Sequence, residues 1–435
     1  MSNCEKFLEK LNNGDFDKGL SEIYVSDAKE ASLEYAKMRV ERVLNGFEYM
    51  FGAENKNEIS LFTSPGRTEI GGNHTDHQNG RVICGSVNLD ILACSASNDG
   101  GKIRIKSGKY PVLEVSLDDL EIRANEKGTS TGLVRGIAAK VKSMGYEIKG
   151  FDAYTTSNVP KGSGLSSSAA FEVLVGNFIN YYSCAGKLTP VEIAQIGQYA
   201  ENVYFGKPCG LMDQMACSVG GAIAIDFKDP SKPVLTKIDY DFGRSGHALC
   251  IIDTHSGHAK LTDEYAAITD EMKSVAAYFG KTVLREVDAE EFFESRELVR
   301  AVCGERADLR AYHFFNENER VVKQAEALKR RNFAEFLRLV NESGRSSENY
   351  LQNIWSPAHP EETAMKYALE QALDVLGGEG AVRVHGGGFG GTIQAFVPVR
   401  RLNEFRAEID KRLGEKSCYM MRIRKYGGGR IDLNI

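Results

Sequence analysis

Three segments of the 435-residue chain concentrate side chains that can do chemistry. The sharpest is Asn158-Val-Pro-Lys-Gly-Ser-Gly-Leu-Ser-Ser-Ser-Ala-Ala170, where a strand expected over Phe151–Ser157 runs through a glycine turn straight into a helix. The first turn of that helix would be Ser166, Ser167 and Ser168. Free backbone N–H groups of a first turn point at an anion, glycines let phosphate oxygens approach, and hydroxyls can reach a metal ion. A Ser-capped core helix is the plainer account, but one cap needs one hydroxyl, so phosphate binding is favoured. Neither a G-x-x-x-x-G-K-[ST] loop nor a G-x-S-x-G nucleophile elbow matches.

The second segment, His385-Gly-Gly-Gly-Phe-Gly-Gly391, formally fits G-x-G-x-x-G at Gly386, Gly388 and Gly391. A dinucleotide fold requires a helix next, whereas Thr392–Val397 reads as a strand and the chain ends soon after. The glycines are expected instead to bring backbone close to a ligand or to a facing domain. The third segment, Ser64-Pro-Gly-Arg-Thr-Glu-Ile-Gly-Gly-Asn-His-Thr-Asp-His-Gln-Asn-Gly80, is dense in groups that bond hydroxyls or phosphate and poor in core-building residues. It is read as a polyol-binding loop rather than a plain solvated one. Its H-x-D-H cluster lacks partner Cys or His spacing elsewhere, which argues against a transition-metal site.

The elements that must position these segments follow from pattern. Residues 1–50 read as helical turns, with Val40, Val43, Leu44 and Phe47 at helical spacing. Short strands are expected at Ile59–Phe62, Arg81–Cys84, Ile91–Ser95, Ile103–Lys106 and Val112–Val115. Helices follow over Ser166–Tyr182 and from Thr189-Pro190-Val191-Glu192, which carries a capping box and a first-turn proline. Strands return at Gly221–Phe227 and Leu249–Asp253, then a charged helical stretch runs from Ala259 to about Leu376. The end reads strand, glycine turn, strand, helix, strand: Ala381–His385, Thr392–Val397, Leu402–Leu413, Tyr419–Lys425. The class is α+β, with two domains divided near 220–245 and set at 1–225 and 226–435.

Composition narrows the functions. Lys+Arg total 54 against Asp+Glu 60, a formal charge of −6, which disfavours a nucleic-acid partner. Apolar runs such as Ala248–Ile252 fall far short of the roughly 20 residues of a membrane span. Residues Met1–Asp15 carry no signal-peptide core, so a cytoplasmic location with no membrane partner is expected. The nine cysteines are scattered without a C-x-x-C pair, as suits reduced, packed thiols.

Taken together the three segments resemble the GHMP small-molecule kinases, and Gly66-Arg67 through His74-Thr75-Asp76 resembles the galactokinase branch. Glu201 through Cys209-Gly210-Leu211-Met212-Asp213-Gln214 resembles the family's stretch bearing the magnesium carboxylate and the catalytic aspartate, with its spacing of twelve. Thr262-Asp263-Glu264-Tyr265 resembles its sugar-stacking tyrosine segment. The resemblance implies a ribosomal-protein-S5-like N-terminal domain and a ferredoxin-like C-terminal domain. It implies ATP against Gly162, Ser163, Gly164, Leu165, Ser166, Ser167 and Ser168, with Mg²⁺ held by Ser168 and Glu201. Asp213 would act on the attacking hydroxyl beside Arg67, and Asn73, His74, Asp76, Gly210 and Tyr265 would form the sugar pocket. Independently, Glu201 shares a helix stripe with the small residues Ala194 and Gly197.

The expected activity is transfer of the ATP γ-phosphoryl to the anomeric hydroxyl of galactose by a monomer or weak homo-oligomer. Departures from the family pattern keep alternatives open. Asn73 stands where galactokinases carry Glu, Glu69 where they carry Asn, His77 where they carry Tyr, and Gly257 where an arginine is usual. An amide at 73 tolerates a C6 carboxylate, so galacturonate or another C6-modified hexose is the close alternative. A non-catalytic sugar or ATP sensor on the same fold is the third reading.

Overall fold

The computed structural model describes residues 1–24, 30–160, 164–257 and 261–431. Twelve strands are described: β1 (Ile59–Gly71), β2 (Arg81–Ser97), β3 (Lys102–Ser107), β4 (Leu113–Ser116), β5 (Phe151–Ser157), β6 (Ala222–Asp226), β7 (Val234–Lys237), β8 (His247–Asp253), β9 (Ala381–His385), β10 (Thr392–Pro398), β11 (Cys418–Met421) and β12 (Gly429–Arg430). Eight of them form one sheet in the order β12-β1-β2-β5-β3-β4, with β6 on β2 and β7 on β6. The other four form an antiparallel sheet, β11-β8-β10-β9. The α+β expectation holds. Two strands beyond residue 226, β7 and β12, return to the first sheet.

Two expectations change in length. The pair of strands read at 81–84 and 91–95 is one strand of 17 residues. Its middle, which reads as a turn, stays extended because the Asn88 N–H and side chain bond Arg422, while β6 takes the first half and β5 the second. Likewise Ser64–Gly71 is not loop but the second half of β1, buried throughout. Thr68 and Glu69 are paired inward: Gln394 donates to Thr68 Oγ1 at 3.0 Å, and Glu69 meets Arg383. Only residues 72–80 form the loop.

Helices cover both faces. Those at Asn3–Asn12, Asp17–Tyr24 and Glu30–Phe51 pack Leu20, Val40, Leu44 and Phe47 on Leu61, Leu92 and Ala96 of the sheet. Opposite them, Ser130–Ser143, Ser167–Cys184 and Pro190–Tyr199 bury Val134, Ile137, Val173 and Phe178 against Phe62, Ala93 and Phe151. Each large apolar side chain so buried contributes about 1.5–3 kcal/mol before entropy is charged. The Thr189–Glu192 capping box forms as its sequence predicts. A further core joins the sheets, setting Ile70, Ile83 and Val87 against Leu249, Ile251, Phe336 and Phe396.

The charged stretch after 259 divides into helices Thr262–Tyr278, Ala289–Glu294, Arg296–Cys303, Glu305–Lys329, Phe333–Ser346 and Ala364–Leu376. Several of its charges are interior: Asp308 is fully buried and held by Arg296 and Arg300 at 2.8 and 2.9 Å. All nine cysteines are unpaired. No helix of the described residues is long and apolar enough to cross a membrane.

Candidate active site

The site is built where the end of β1 meets three helix starts and the 386–391 glycine turn. On β1, Arg67 and Glu69 lie two residues apart and so share one strand face. Register shifts between Pro65 and Arg67 and between Glu69 and Gly71 bracket them, the local twist by which bulges re-aim side chains. Gly66 is needed here: a Cβ would sit 2.8 Å from the Leu165 carbonyl.

Arg67 grips Asp213 through two parallel bonds, Nε to Oδ1 at 2.6 Å and Nη2 to Oδ2 at 2.7 Å. Its Nη1 donates to the Gly164 carbonyl, and the Ser166 hydroxyl donates to Asp213 Oδ2. Asp213 lies in the first turn of the helix Met212–Val219, where the macrodipole favours a carboxylate. Burial works to raise its pKa, but Arg67 and the Ser166 hydroxyl outweigh it and hold the carboxyl below its ordinary range. Asp213 is therefore an ionised, oriented group.

Beside it, Asp76 opens a short 3₁₀ turn within the loop, and its Oδ1 accepts the His77 N–H at 2.9 Å. Burial, then the neighbouring carboxylates Asp213 and Glu69, push its pKa up to about 7. Gly210 faces it so closely that a Cβ would fall 1.8 Å from Asp76 Oδ2. His74 takes a left-handed backbone, φ 58°, and lays its ring 5.3 Å from that of Tyr265. Its Nε2 lies 2.9 Å from the Gly387 carbonyl, so it carries the proton, and Nδ1 accepts from His77 Nε2 at 3.1 Å. Burial lowers the His74 pKa to about 4, which keeps the ring neutral.

A cavity of about 360 Å³ opens among these groups, lined by Arg67, Glu69, His74, Asp76, Gly210, Asp213, Tyr265 and Glu201, with Gly386 and Gly387 at one wall. Asn73 is placed behind that wall. Its Nδ2 donates to Glu69 Oε1 at 3.1 Å and Gly386 O at 2.7 Å, while its Oδ1 accepts from Ser347 and Asn353 at 3.1 and 2.9 Å. With no exposed surface and every polar valence used, Asn73 has nothing left for a ligand.

Behind Arg67, the start of the helix Ser167–Cys184 presents the serines, with Ser166 itself in a left-handed conformation, φ 53°. Gly164 and Leu165 complete the described part of this turn; Gly162 and Ser163 lie outside the described residues. The ends of β9 and β10 close it from the other side: a Cβ on Gly164 would meet Thr392 Oγ1 at 2.5 Å and His385 Nδ1 at 3.1 Å. Glu201 sits in a π turn, Ala200–Phe205, with only 4% of its surface exposed. The Gln214 amide donates at 2.9 Å to both Glu201 Oε2 and Glu172 Oε2. Glu172 lies one helical turn after Ser168 on the same face, and its Oε1 has no partner among the described residues. Burial and the nearby Glu201 raise its pKa. Sequence reasoning missed Glu172, because a helical Glu four residues past the serines looks like a solvent-facing one.

It also missed the groups that hold the loop. Glu317 Oε1 accepts the Gly72 N–H at 3.1 Å, and His313 Nε2 donates to the Asn73 carbonyl at 2.9 Å. Despite burial, Arg320, His313 and Arg383 hold the Glu317 carboxyl down at about 2. Both sit on Glu305–Lys329, the helix in which no motif is legible.

Comparison with known proteins agrees with this geometry. Residues 132–221 match the GHMP kinases N-terminal domain, and residues 45–96 match the galactokinase galactose-binding signature. A mevalonate kinase structure shares the fold at 17% identity, covering 84% of this chain and 99% of its own, with a TM-score of 0.58. The fold and the site thus define a small-molecule kinase of the GHMP type. Within that class, a galactokinase of Mannheimia succiniciproducens is 32% identical over 83% of this chain and 92% of its own length. One of Clostridium tetani is 31% identical over 80% and 86%. The crystal structure of Lactococcus lactis galactokinase complexed with galactose superposes with a TM-score of 0.75 at 27% identity, covering 89% and 98%. The chain belongs to the galactokinase family.

Proposed function

We propose that this protein transfers the γ-phosphoryl of ATP to the anomeric hydroxyl of galactose, giving galactose 1-phosphate and ADP. The observation that carries the reading is the Arg67–Asp213 pair at the floor of a sugar-sized cavity, with the serine turn directly behind it. Relatives and the galactose-bound neighbour support the sugar.

In this reading the sugar lies on His74, Asp76, Gly210 and Tyr265, with its anomeric oxygen beside Asp213. ATP lies along Gly162–Ser168, its phosphates against the free N–H groups of the helix start. Phosphoryl transfer passes through a loose transition state, so the protein supplies mainly position and charge. Asp213 is held too acidic by Arg67 to be a strong base. It orients the hydroxyl and takes its proton late, as the new P–O bond forms, while Arg67 neutralises the gathering negative charge.

Glu201 and Glu172, joined through the Gln214 amide, would supply with Ser168 an oxygen-only donor set of the kind a hard dication prefers, and the unpartnered Glu172 Oε1 fits such an occupant. Mg²⁺ bound there would neutralise phosphate charge. The division at 225/226 belongs to the same proposal, supported by a second sheet drawn wholly from later strands.

A coupled ADP-release assay with Mg-ATP and galactose, galacturonate, glucose, N-acetylgalactosamine and arabinose tests the proposal. Turnover strongest with galactose is expected; ADP release with none of them would overturn it.

A further inference from the structure

The cavity wall carries a carboxylate that phosphoryl transfer does not use. Glu69 leaves β1 on the same face as Arg67, and Oε1 accepts from two buried donors, the Arg383 guanidinium and Asn73 Nδ2 at 3.1 Å. Arg383 is otherwise spent on the carbonyls of Val384 and Ile70, at 2.9 and 3.3 Å. Among the described residues no donor meets Glu69 Oε2, yet the residue lines the cavity. A carboxylate anchored through one oxygen with the other turned to the cavity is positioned to accept a hydrogen bond from a ligand.

We propose that Glu69, not Asn73, sets the sugar preference: its Oε2 accepts a hydrogen bond from a non-reacting hydroxyl of the bound sugar, and its charge rejects sugar acids. This rests on the sugar-kinase reading above. Arg383 is already engaged on the Oε1 side and offers an incoming carboxylate no compensation, so a uronate brought to this wall meets like charge. Asn73 serves as a positioning residue. It donates to Glu69, and its own oxygen is tied to Ser347 and Asn353. A glutamate at 73 would replace that donor by a second carboxylate within hydrogen-bond distance of the first.

The test measures kcat/KM for wild type and Glu69→Gln on galactose, galacturonate and the series of galactoses lacking one hydroxyl each. Wild type should favour galactose over galacturonate by at least about 100-fold, and should lose about 10- to 150-fold on one deoxy sugar, the value of a hydrogen bond to a charged group. Glu69→Gln, which leaves only a neutral hydrogen bond, should cut the penalty for that same deoxy sugar to about 2- to 10-fold and narrow the galactose preference at least about tenfold. A folded Glu69→Gln protein with an unchanged pattern overturns the proposal. Should the variant not fold, wild type still decides, since equal use of galactose and galacturonate also overturns it. Failure of wild type on every sugar would instead sink the kinase reading on which it stands.

Discussion

Arg67 and Asp213, 146 residues apart in sequence, meet through two bonds of 2.6 and 2.7 Å at the floor of one cavity. The pairing makes each residue the other's orienting group: the arginine fixes which oxygens face the sugar, and the aspartate keeps the guanidinium from collapsing onto phosphate alone. Asp213→Asn should therefore lower kcat by about 10²–10⁴-fold with little change in KM for ATP. Steady-state kinetics check this, and a variant retaining a tenth of wild-type kcat would remove Asp213 from the mechanism.

Asp76 should give the reaction an acid limb near neutrality. Burial and the adjacent carboxylates Asp213 and Glu69 raise its pKa to about 7, and only the ionised form accepts two sugar hydroxyls. As pH falls through about 7 the carboxyl protonates and kcat/KM for the sugar should fall, while kcat at saturating sugar falls less. The stability effect has the opposite sign. The folded pKa lies above the ordinary value of 3.8, so between the two the native state binds the extra proton and stability declines as pH rises to about 7. Asp76→Asn should consequently melt higher than wild type at pH 8, though it binds sugar poorly; a lower melting temperature there would contradict the assignment.

Gly210 should tolerate no side chain. A methyl group would overlap Asp76 Oδ2 at 1.8 Å, so Gly210→Ala must push the carboxylate or the turn before the catalytic helix. Loss of a positioned hydrogen bond to the sugar predicts a KM rise of about 10- to 100-fold with a folded protein, measured by galactose titration beside a thermal melt.

How much of this was legible in the sequence varied with where each residue finds its partner. The helix starts, the capping box at Thr189 and the strand–turn–strand around the glycines depend on neighbours within a few positions, and they form as read. Ser64–Gly71 was misread as loop because Thr68 and Glu69 are satisfied by Gln394 and Arg383, more than 300 residues away, so their polarity looked like solvent exposure. Asn73 suffered the converse: its chemistry was read correctly as that of an amide, but burial against Ser347, Asn353 and Gly386 spends that amide on the protein. The helix Glu305–Lys329 looked mute since a charged face that props a loop from below has the same composition as one facing water.

That support predicts a separable effect. Glu317→Ala removes the acceptor for the Gly72 N–H and leaves Arg320 without its close partner, so it should destabilise the fold by about 3 kcal/mol. It should also raise KM for the sugar more than KM for ATP, because Gly72 leads into the sugar loop. Chemical denaturation with the two KM values measures both, and an equal rise in the two would show that the helix supports the whole site rather than the loop.

The central claim concerns which oxygen receives the phosphoryl group. The most direct measurement is ³¹P and ¹H NMR of the product formed from galactose and Mg-ATP. The account predicts a phosphate on the anomeric carbon, seen as coupling between phosphorus and the anomeric proton, in step with ADP. Phosphate on C6, or ADP accompanied only by free inorganic phosphate, would contradict it.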